Sequence, residues 1–245
     1  MRYLNWVVVL FFSCLLASVT LAQSYEFPVE HEHTLRNCRG KLFITADKIE
    51  YQTDHKKDAQ SWQYTELRQL KVLSPVALEL VTYEDQPRLA GRDRIFKFTL
   101  LSGQITPEIS ALLMKAAPRP IVTSVLLPMQ DEPRFAVLVK HLRPLNGSLG
   151  TLKIYADRIV YEASGDETES RYWRYSDIQN FSHSERYRFE IVTYEDGIGG
   201  LKEYNFQLRE ELPTGIYDYV WTRVYPSKFQ HLEKLSQSSN ESNKE

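Results

Sequence analysis

The sequence has 245 residues, of which 42% are hydrophobic and 25% charged, which is the composition of a water-soluble globular protein with enough apolar residues to form a core. A formal net charge of −2 gives no basic field for nucleic acid, so a nucleic-acid partner is not expected and charge indicates no other partner. The 15 tyrosines favour half-buried strands, and the composition therefore favours β structure.

Residues 1–22 are predicted to be a signal peptide. Arg2 supplies a positive charge, residues 6–16 form an apolar run, and the small residue Ala22 precedes a cleavage site before Gln23. The run is shorter than the ~20 residues that a membrane-spanning helix needs, although a retained anchor stays an alternative. We therefore expect an exported protein, periplasmic or extracellular after cleavage.

Two cysteines are present, and only Cys38 lies beyond the predicted signal peptide. Cys14 would matter in a lipoprotein signal, but the residues before it are bulky where such signals have small ones. An exported chain with one cysteine forms no intramolecular disulfide, so core packing must stabilise the fold. Cys38 is interpreted as a buried small hydrophobic residue, with an intermolecular disulfide as the alternative.

An internal repeat divides the remaining chain. Residues 40–51, GKLFITADKIEY, return at 150–161 as GTLKIYADRIVY. Two further segments return in the same order, namely WQY at 62–64 as WRY at 173–175, and ELVTYED at 79–85 as EIVTYED at 190–196. Three collinear matches indicate a duplication. The predicted division is a first domain at 31–117, a Pro-rich linker at 118–134, a second domain at 135–226 and a polar, disordered tail at 227–245.

Each copy is predicted to contain hairpin strands followed by one helix. Alternating apolar residues predict strands on both sides of a tight turn at 46–48, where Asp47 is expected to bond its own backbone. Thr106 and Pro107 are a good helix start, and a second helix is predicted to begin after Gly215. The face of the first helix consists of Ile109, Leu112, Leu113 and Ala116, and that of the second of Ile216, Tyr219, Val220 and Val224.

The third repeated segment has apolar side chains on both faces. Leu80 lies on one face and Val81 and Tyr83 on the other, and Tyr194 is the counterpart of Tyr83 in the second copy. An exposed sheet face is normally polar, so the second face is expected to be covered by the helix, the other domain or a partner.

The repeated framework resembles the pleckstrin-homology-like (PH-like) superfold, most closely its GRAM and bacterial PH branches. It spans residues 40–51, 62–70, 78–83 and 96–116 and their counterparts. The resemblance implies a mostly β fold with α: two PH-like partly open β-barrels, each capped by a C-terminal helix. It also implies binding of phosphoinositide headgroups, peptides or proteins. Basic residues near the family's headgroup position are Arg36, Arg39 and Lys41 in the first copy, and Lys140, His141 and Arg143 in the second, without a recognisable headgroup motif.

Motifs for catalysis or metal binding are not recognised. His31 and His33 would share a face of a strand, but a zinc site needs three or four ligands and the sequence places no third, so no metal is predicted. There is no nucleophile elbow or glycine-rich phosphate loop, and the glycines at 197–200 are expected to form a loop between strands. We expect no catalytic residues and no cofactor.

The sequence therefore predicts an exported, non-enzymatic tandem binding module, acting as a protein–protein adaptor or an envelope assembly component. The alternative is a carrier of a lipid or small apolar ligand, and an enzyme with an unrecognised site comes third. A protein partner is expected, with a lipid or membrane-surface ligand as the alternative. The predicted binding residues are Arg36, Arg39, Lys41, Tyr83, Lys140, Arg143 and Tyr194.

Overall fold

The computed structural model describes residues 23–33, 36–86, 89–127, 130–144, 147–197 and 199–226. The predicted signal peptide and the predicted polar tail lie outside the described residues. No helix in the described part of the chain is long and apolar enough to cross a membrane.

Among the described residues, the first copy contains eight strands and one α-helix, besides a short 3-10 helix at Tyr64–Glu66. They are β1 (Tyr25–His31), β2 (Cys38–Ile44), β3 (Lys48–Gln52), β4 (Gln60–Gln63), β5 (Leu67–Ser74), β6 (Ala77–Gln86), β7 (Leu89–Leu100), α1 (Pro107–Ala116) and β8 (Ile121–Thr123). The structure thus begins β1 at Tyr25, ahead of residue 31, the predicted start of the domain, and places β8 inside the predicted linker.

In the part of the second copy that the structure describes there are seven strands and one α-helix, besides short 3-10 helices at Glu167–Glu169 and Tyr175–Asp177. They are β9 (Phe135–Leu142), β10 (Gly147–Ile154), β11 (Arg158–Ala163), β12 (Arg171–Arg174), β13 (Ile178–Glu185), β14 (Arg188–Gly197), β15 (Gly200–Leu208) and α2 (Ile216–Val224). Gly197 ends β14 and Gly200 begins β15, and the two residues are paired, so the chain turns between antiparallel strands at the place predicted for a loop between strands.

Both copies have the same strand order. The first sheet runs β4-β3-β2-β1-β7-β6-β5-β8 and the second β12-β11-β10-β9-β15-β14-β13, so the first seven strands of each copy correspond one to one. Neighbouring strands are antiparallel, except that β8 adds to β5 in parallel. Each sheet curls into a half-barrel, which confirms the predicted fold class and is consistent with PH-like barrels.

The repeated hairpin forms the centre of each core. Leu42, Ile44, Ile49 and Tyr51 are buried, as are their counterparts Leu152, Ile154, Ile159 and Tyr161. The repeated glycine has a steric cause, because a Cβ at Gly40 would lie 2.2 Å from the Gln52 carbonyl oxygen, and one at Gly150 2.3 Å from the Glu162 carbonyl oxygen.

The tight turn at the tip of this hairpin differs from the prediction in its hydrogen bonds. The Thr45 hydroxyl accepts from the backbone N–H groups of Asp47 and Lys48, at 3.3 and 3.1 Å, and donates to the Lys48 carbonyl. Thr45 therefore stabilises the turn, where the sequence had suggested Asp47. The second copy has Tyr155 in place of Thr45, and Asp157 instead pairs with Arg158 at 2.6 Å.

Both helices begin where predicted. The Thr106 side chain accepts a hydrogen bond from the Ile109 N–H at 3.4 Å, and Gly215 precedes α2 with φ of 86°. The buried residues of α1 include Ile109 and Leu113, and those of α2 are Ile216 and Val220. Each helix thus packs its apolar stripe onto its own half-barrel.

The two copies pack against each other. Tyr155, Val160 and Tyr172 of the second copy belong to the apolar cluster of the first. The Arg174 guanidinium donates to the carbonyl oxygens of Met114 at 3.1 Å and Arg119 at 3.3 Å. Apolar burial and hydrogen bonds together therefore hold one barrel against the other.

Candidate functional site

The two repeated tyrosines lie at the surface. Tyr83 on β6 is 49% exposed and Tyr194 on β14 is 51% exposed, while the neighbouring Val81 is buried. The second face of this segment is therefore covered only in part, and the tyrosine of each copy is left accessible. Exposed large aromatic side chains at equivalent positions are candidates for contact with a partner.

A cleft of about 320 Å³ lies between the two copies beside these tyrosines. Arg68, Pro118, Arg119 and Pro120 line it from the first copy and the following segment, and Ser176, Asp177, Tyr194 and Asp196 from the second. We call it the interbarrel cleft. Tyr83 lies next to the cleft and contacts its lining residue Arg119, whose guanidinium carbon is 5.1 Å from the centre of the Tyr83 ring.

Most charges around the interbarrel cleft are neutralised by neighbours. Arg68 forms an ion pair with Asp93 in its own copy. It forms a second ion pair, at 2.6 Å, with Asp196 of the other copy. Asp177 is paired with Arg174 at 2.8 Å. Among the described residues, Arg119 has no carboxylate partner, and its side chain is exposed. Arg119 is therefore the cation that this cleft offers to a ligand.

The predicted basic residues of the first copy do not all meet. Arg36 and Arg39 line a cleft of about 740 Å³ beside the hairpin formed by β1 and β2. Lys41 instead pairs with Glu26 at 2.7 Å, and Arg39 lies 3.7 Å from Glu30. Two of the three predicted residues thus share one cleft.

The corresponding residues of the second copy are held by local contacts. Arg143 pairs with Glu169 at 2.7 Å. The Lys140 side chain packs on Gly147, since a Cβ added to this glycine would lie only 2.5 Å from the Lys140 Cε. His141 is buried among aromatic rings, and burial lowers its pKa to about 4. These three residues therefore do not gather around one pocket.

The hairpin formed by β1 and β2 contains a cluster of side chains that the sequence prediction missed. The β1–β2 register places His31 opposite Cys38, so the Cys38 Sγ lies 3.8 Å from the His31 Nδ1 and 2.9 Å from the His33 Nε2. All three atoms lie within 4.8 Å of one another. The spacing of His31, His33 and Cys38 around a short hairpin loop could have indicated this cluster, had the register been known.

Cys38 itself differs from its sequence interpretation. It is half-buried rather than a core residue, and its Sγ also lies 3.1 Å from the Tyr51 hydroxyl. Burial lowers the pKa of His31 to about 4, so its ring is neutral at pH 7. The cluster thus combines a neutral imidazole, a second imidazole and a thiol.

A second groove between the copies lies near the start of α1. Its volume is about 520 Å³, and apolar side chains of Ile105, Val125, Leu126 and Ala163 share its lining with Glu162 and Glu167. It is the size of many small-molecule sites, which span ~300–1,000 Å³.

Comparison with known proteins does not assign the chain. No family model matches it, and no curated protein matches it. Among solved structures, a chain from "Structure of the Spt16D Pob3N heterodimer" is 12% identical, with 80% of this chain and 99% of that chain covered and a TM-score of 0.29. Such a score is too low for the likeness to indicate a shared function.

Proposed function

We propose that this protein is an exported, non-enzymatic binding module that recognises a protein partner at the interbarrel cleft, as an adaptor or assembly component of the cell envelope. The observation that carries the proposal is the exposure of Tyr83 and Tyr194, with Arg119 beside them at the junction of the two copies. Tyrosine and arginine, together with tryptophan, are enriched among the residues that contribute most to protein–protein affinity.

The packing of the two copies supports a preformed binding surface. The Arg174 guanidinium donates a hydrogen bond to the backbone carbonyl of Arg119. The guanidinium of Arg68 on β5 donates one to the carboxylate of Asp196 on β14. These contacts hold the backbone on both sides of the interbarrel cleft. A surface ordered before binding loses less conformational entropy when a partner docks, which favours affinity.

The chemistry of the interbarrel cleft indicates what the partner presents. Arg119 offers an unneutralised guanidinium, and the two tyrosine rings offer apolar faces with hydroxyl tips. A partner segment with a carboxylate next to an apolar or aromatic side chain fits both. An all-basic segment would be repelled by Arg119.

Export is the remaining part of the proposal. It rests on the amino-terminal sequence, in which Arg2 precedes the apolar run at residues 6–16 and Ala22 offers a cleavage site. Such a protein would meet its partner in the envelope or outside the cell.

The proposal is tested by affinity capture from solubilised envelope of the producing cells, with proteins and lipids both identified. We expect a stoichiometric protein with wild-type bait, and its loss with the Tyr83→Ala/Tyr194→Ala double variant. The matched control is Tyr187→Ala, since Tyr187 is 47% exposed and has Arg186 beside its ring but does not line the interbarrel cleft. Capture that is unchanged by the double variant would refute the cleft as the binding surface.

A carrier of a lipid or small apolar ligand is the second candidate function. The 520 Å³ groove favours this function. The barrel centres are filled by buried side chains such as Leu42 and Leu152, so an apolar ligand would have to bind in the groove. Native mass spectrometry of freshly purified protein tests it. A bound lipid without a protein partner in the capture experiment would place this function first.

A further inference from the structure

We propose that His31, His33 and Cys38 form a binding site for a transition-metal ion of borderline or soft character, such as Zn²⁺ or Cu⁺. This site is separate from the interbarrel cleft and does not depend on the proposed protein-binding function. Imidazole nitrogen and thiolate sulfur are the ligand types that these ions prefer.

The positions of the three donor atoms suit one shared ion. Tetrahedral coordination at bond lengths of ~2.0–2.3 Å places neighbouring ligand atoms roughly 3.3–3.6 Å apart. Here the Cys38 sulfur is 2.9 Å from the His33 Nε2 and 3.8 Å from the His31 Nδ1. All three donor atoms lie within 4.8 Å of one another, so side-chain movements of up to about 1.5 Å would bring every pair to these separations.

The surroundings of the cluster fit an open coordination site. Tyr51 places its hydroxyl 3.1 Å from the sulfur, where it can donate a hydrogen bond to a bound thiolate. His33 and Cys38 border the 740 Å³ cleft, whose lining also includes His55 and Asp58. Three protein ligands thus leave a fourth position that faces this cleft, available to water, to one of these two residues or to an external ligand.

The second copy has the same scaffold but lacks two of the three ligand residues. His141 occupies the position of His31, Tyr161 that of Tyr51 and Phe206 that of Phe98, with matching strand register. Ser148 replaces Cys38, and its hydroxyl contacts Tyr161 at 2.9 Å as the thiol contacts Tyr51. Arg143 replaces His33. In this copy the buried His141 Nδ1 has no hydrogen-bond partner in the described structure.

This comparison separates packing from metal binding. A buried histidine among aromatic rings is common to both copies, so packing of the hairpin does not require a thiol or a second histidine. Cys38 and His33 are the residues that convert the shared scaffold into a three-ligand set. Replacing both by their second-copy counterparts is therefore a substitution that the fold already accommodates.

Metal binding would displace a proton from the Cys38 thiol to solvent, while both histidines coordinate in their neutral form. The ion would also crosslink the end of β1 to the start of β2. A ligand that binds only the folded state stabilises it in proportion to the logarithm of its concentration over its dissociation constant. Zinc should therefore raise the melting temperature of the wild-type protein.

The test titrates the reduced, metal-free protein with Zn²⁺, and with Co²⁺ as a spectroscopic probe. We expect one ion per chain and a thiolate-to-cobalt charge-transfer band. Cys38→Ser/His33→Arg should lower the affinity at least ~100-fold, because loss of outer-shell partners alone costs 10–100-fold. The band and the zinc-induced rise in melting temperature should both disappear, and His33→Arg alone should weaken binding while retaining the thiol.

Two results would overturn the proposal. One is the absence of binding by the wild-type protein. If Cys38 of this protein then reacts rapidly with an alkylating reagent, the cluster is a reactive Cys–His pair and not a metal site. The other is binding of equal affinity by the double variant, which would place the ion elsewhere.

Discussion

The Arg174 guanidinium of the second copy donates a hydrogen bond to the Met114 carbonyl of the first copy at 3.1 Å. The carbonyl belongs to the last turn of α1, where helix carbonyls lack partners within the helix. One arginine thus caps a helix, pairs with Asp177 and joins the two copies.

Arg174→Gln is expected to destabilise the protein. It leaves the Asp177 carboxylate, whose side chain is 4% exposed, without its guanidinium, and it removes two bonds between the copies. We expect a loss of about 1–3 kcal/mol in the free energy of unfolding, as measured by urea denaturation. Arg186→Gln is the control, because its ion pair with Glu211 is exposed and worth about 0.5 kcal/mol or less. Equal effects of the two variants would contradict the role of Arg174.

Gly40→Ala and Gly150→Ala are each expected to cost about 2–4 kcal/mol, since the new Cβ would overlap a backbone carbonyl and the ring of Tyr51 or Tyr161. Gly165→Ala is the matched control: no atom lies within 4 Å of its added Cβ, and its stability change should be within about 0.5 kcal/mol. Thermal unfolding measures all three. A mild effect at Gly40 or Gly150 would show that the hairpin can move apart, against the steric explanation.

The stability of the protein should fall as the pH drops from 6.5 to 4, in part because of His141. Burial lowers its pKa from 6.5 to about 4, so between these values the unfolded chain binds a proton that the folded chain does not. The largest loss from this residue is about 3 kcal/mol, because each tenfold difference in proton affinity between the two states corresponds to about 1.36 kcal/mol. His141→Phe should flatten the pH dependence by up to this amount, while His31 keeps its own share. An unchanged slope in urea titrations across this range would contradict the prediction.

Glu195 should act on stability in the opposite direction. Burial raises the pKa of its carboxyl above 4.5, although Trp173 at 2.9 Å and Tyr204 at 2.5 Å donate hydrogen bonds to it. A raised pKa contributes stability below pH 4.5 that is lost as the pH rises through the folded-state value. Glu195→Gln should remove this loss, so that its stability relative to wild type increases with pH.

The first copy provides the control for Glu195. Glu84 occupies the equivalent position but is exposed and pairs with Arg94 at 3.3 Å. Glu84→Gln should therefore change stability little at any pH. A parallel pH dependence for Glu195→Gln and wild type would show that the buried carboxyl is not the cause.

Much of the fold could be predicted from the sequence because its signals are local. The repeat around Gly40 and Gly150, the alternation along the hairpins and the Thr106-Pro107 helix start each depend on neighbouring residues. β1 was harder to predict, since it contains Pro28, a residue that normally argues against a strand. β8 was predicted as linker because only its pairing with β5 makes it a strand.

The candidate sites depend on contacts between residues far apart in the chain. The proximity of Cys38 to His31 follows from strand register, and the position of Arg119 beside Tyr83 follows from how the linker returns to the first sheet. Sequence reasoning selected Tyr83 and Tyr194 from their repeat positions, yet it could not place an arginine between the copies. Neither feature has a local signature.

The most direct test of the protein-binding cleft is site-specific photo-crosslinking in the producing cells. A benzophenone amino acid would replace Tyr83, Tyr194 or the control Tyr187 one at a time, which keeps an aromatic ring at each position. We predict the same protein adduct from positions 83 and 194 and none from 187. Adducts at 187 alone, or equal adducts at all three positions, would contradict a partner bound at the interbarrel cleft.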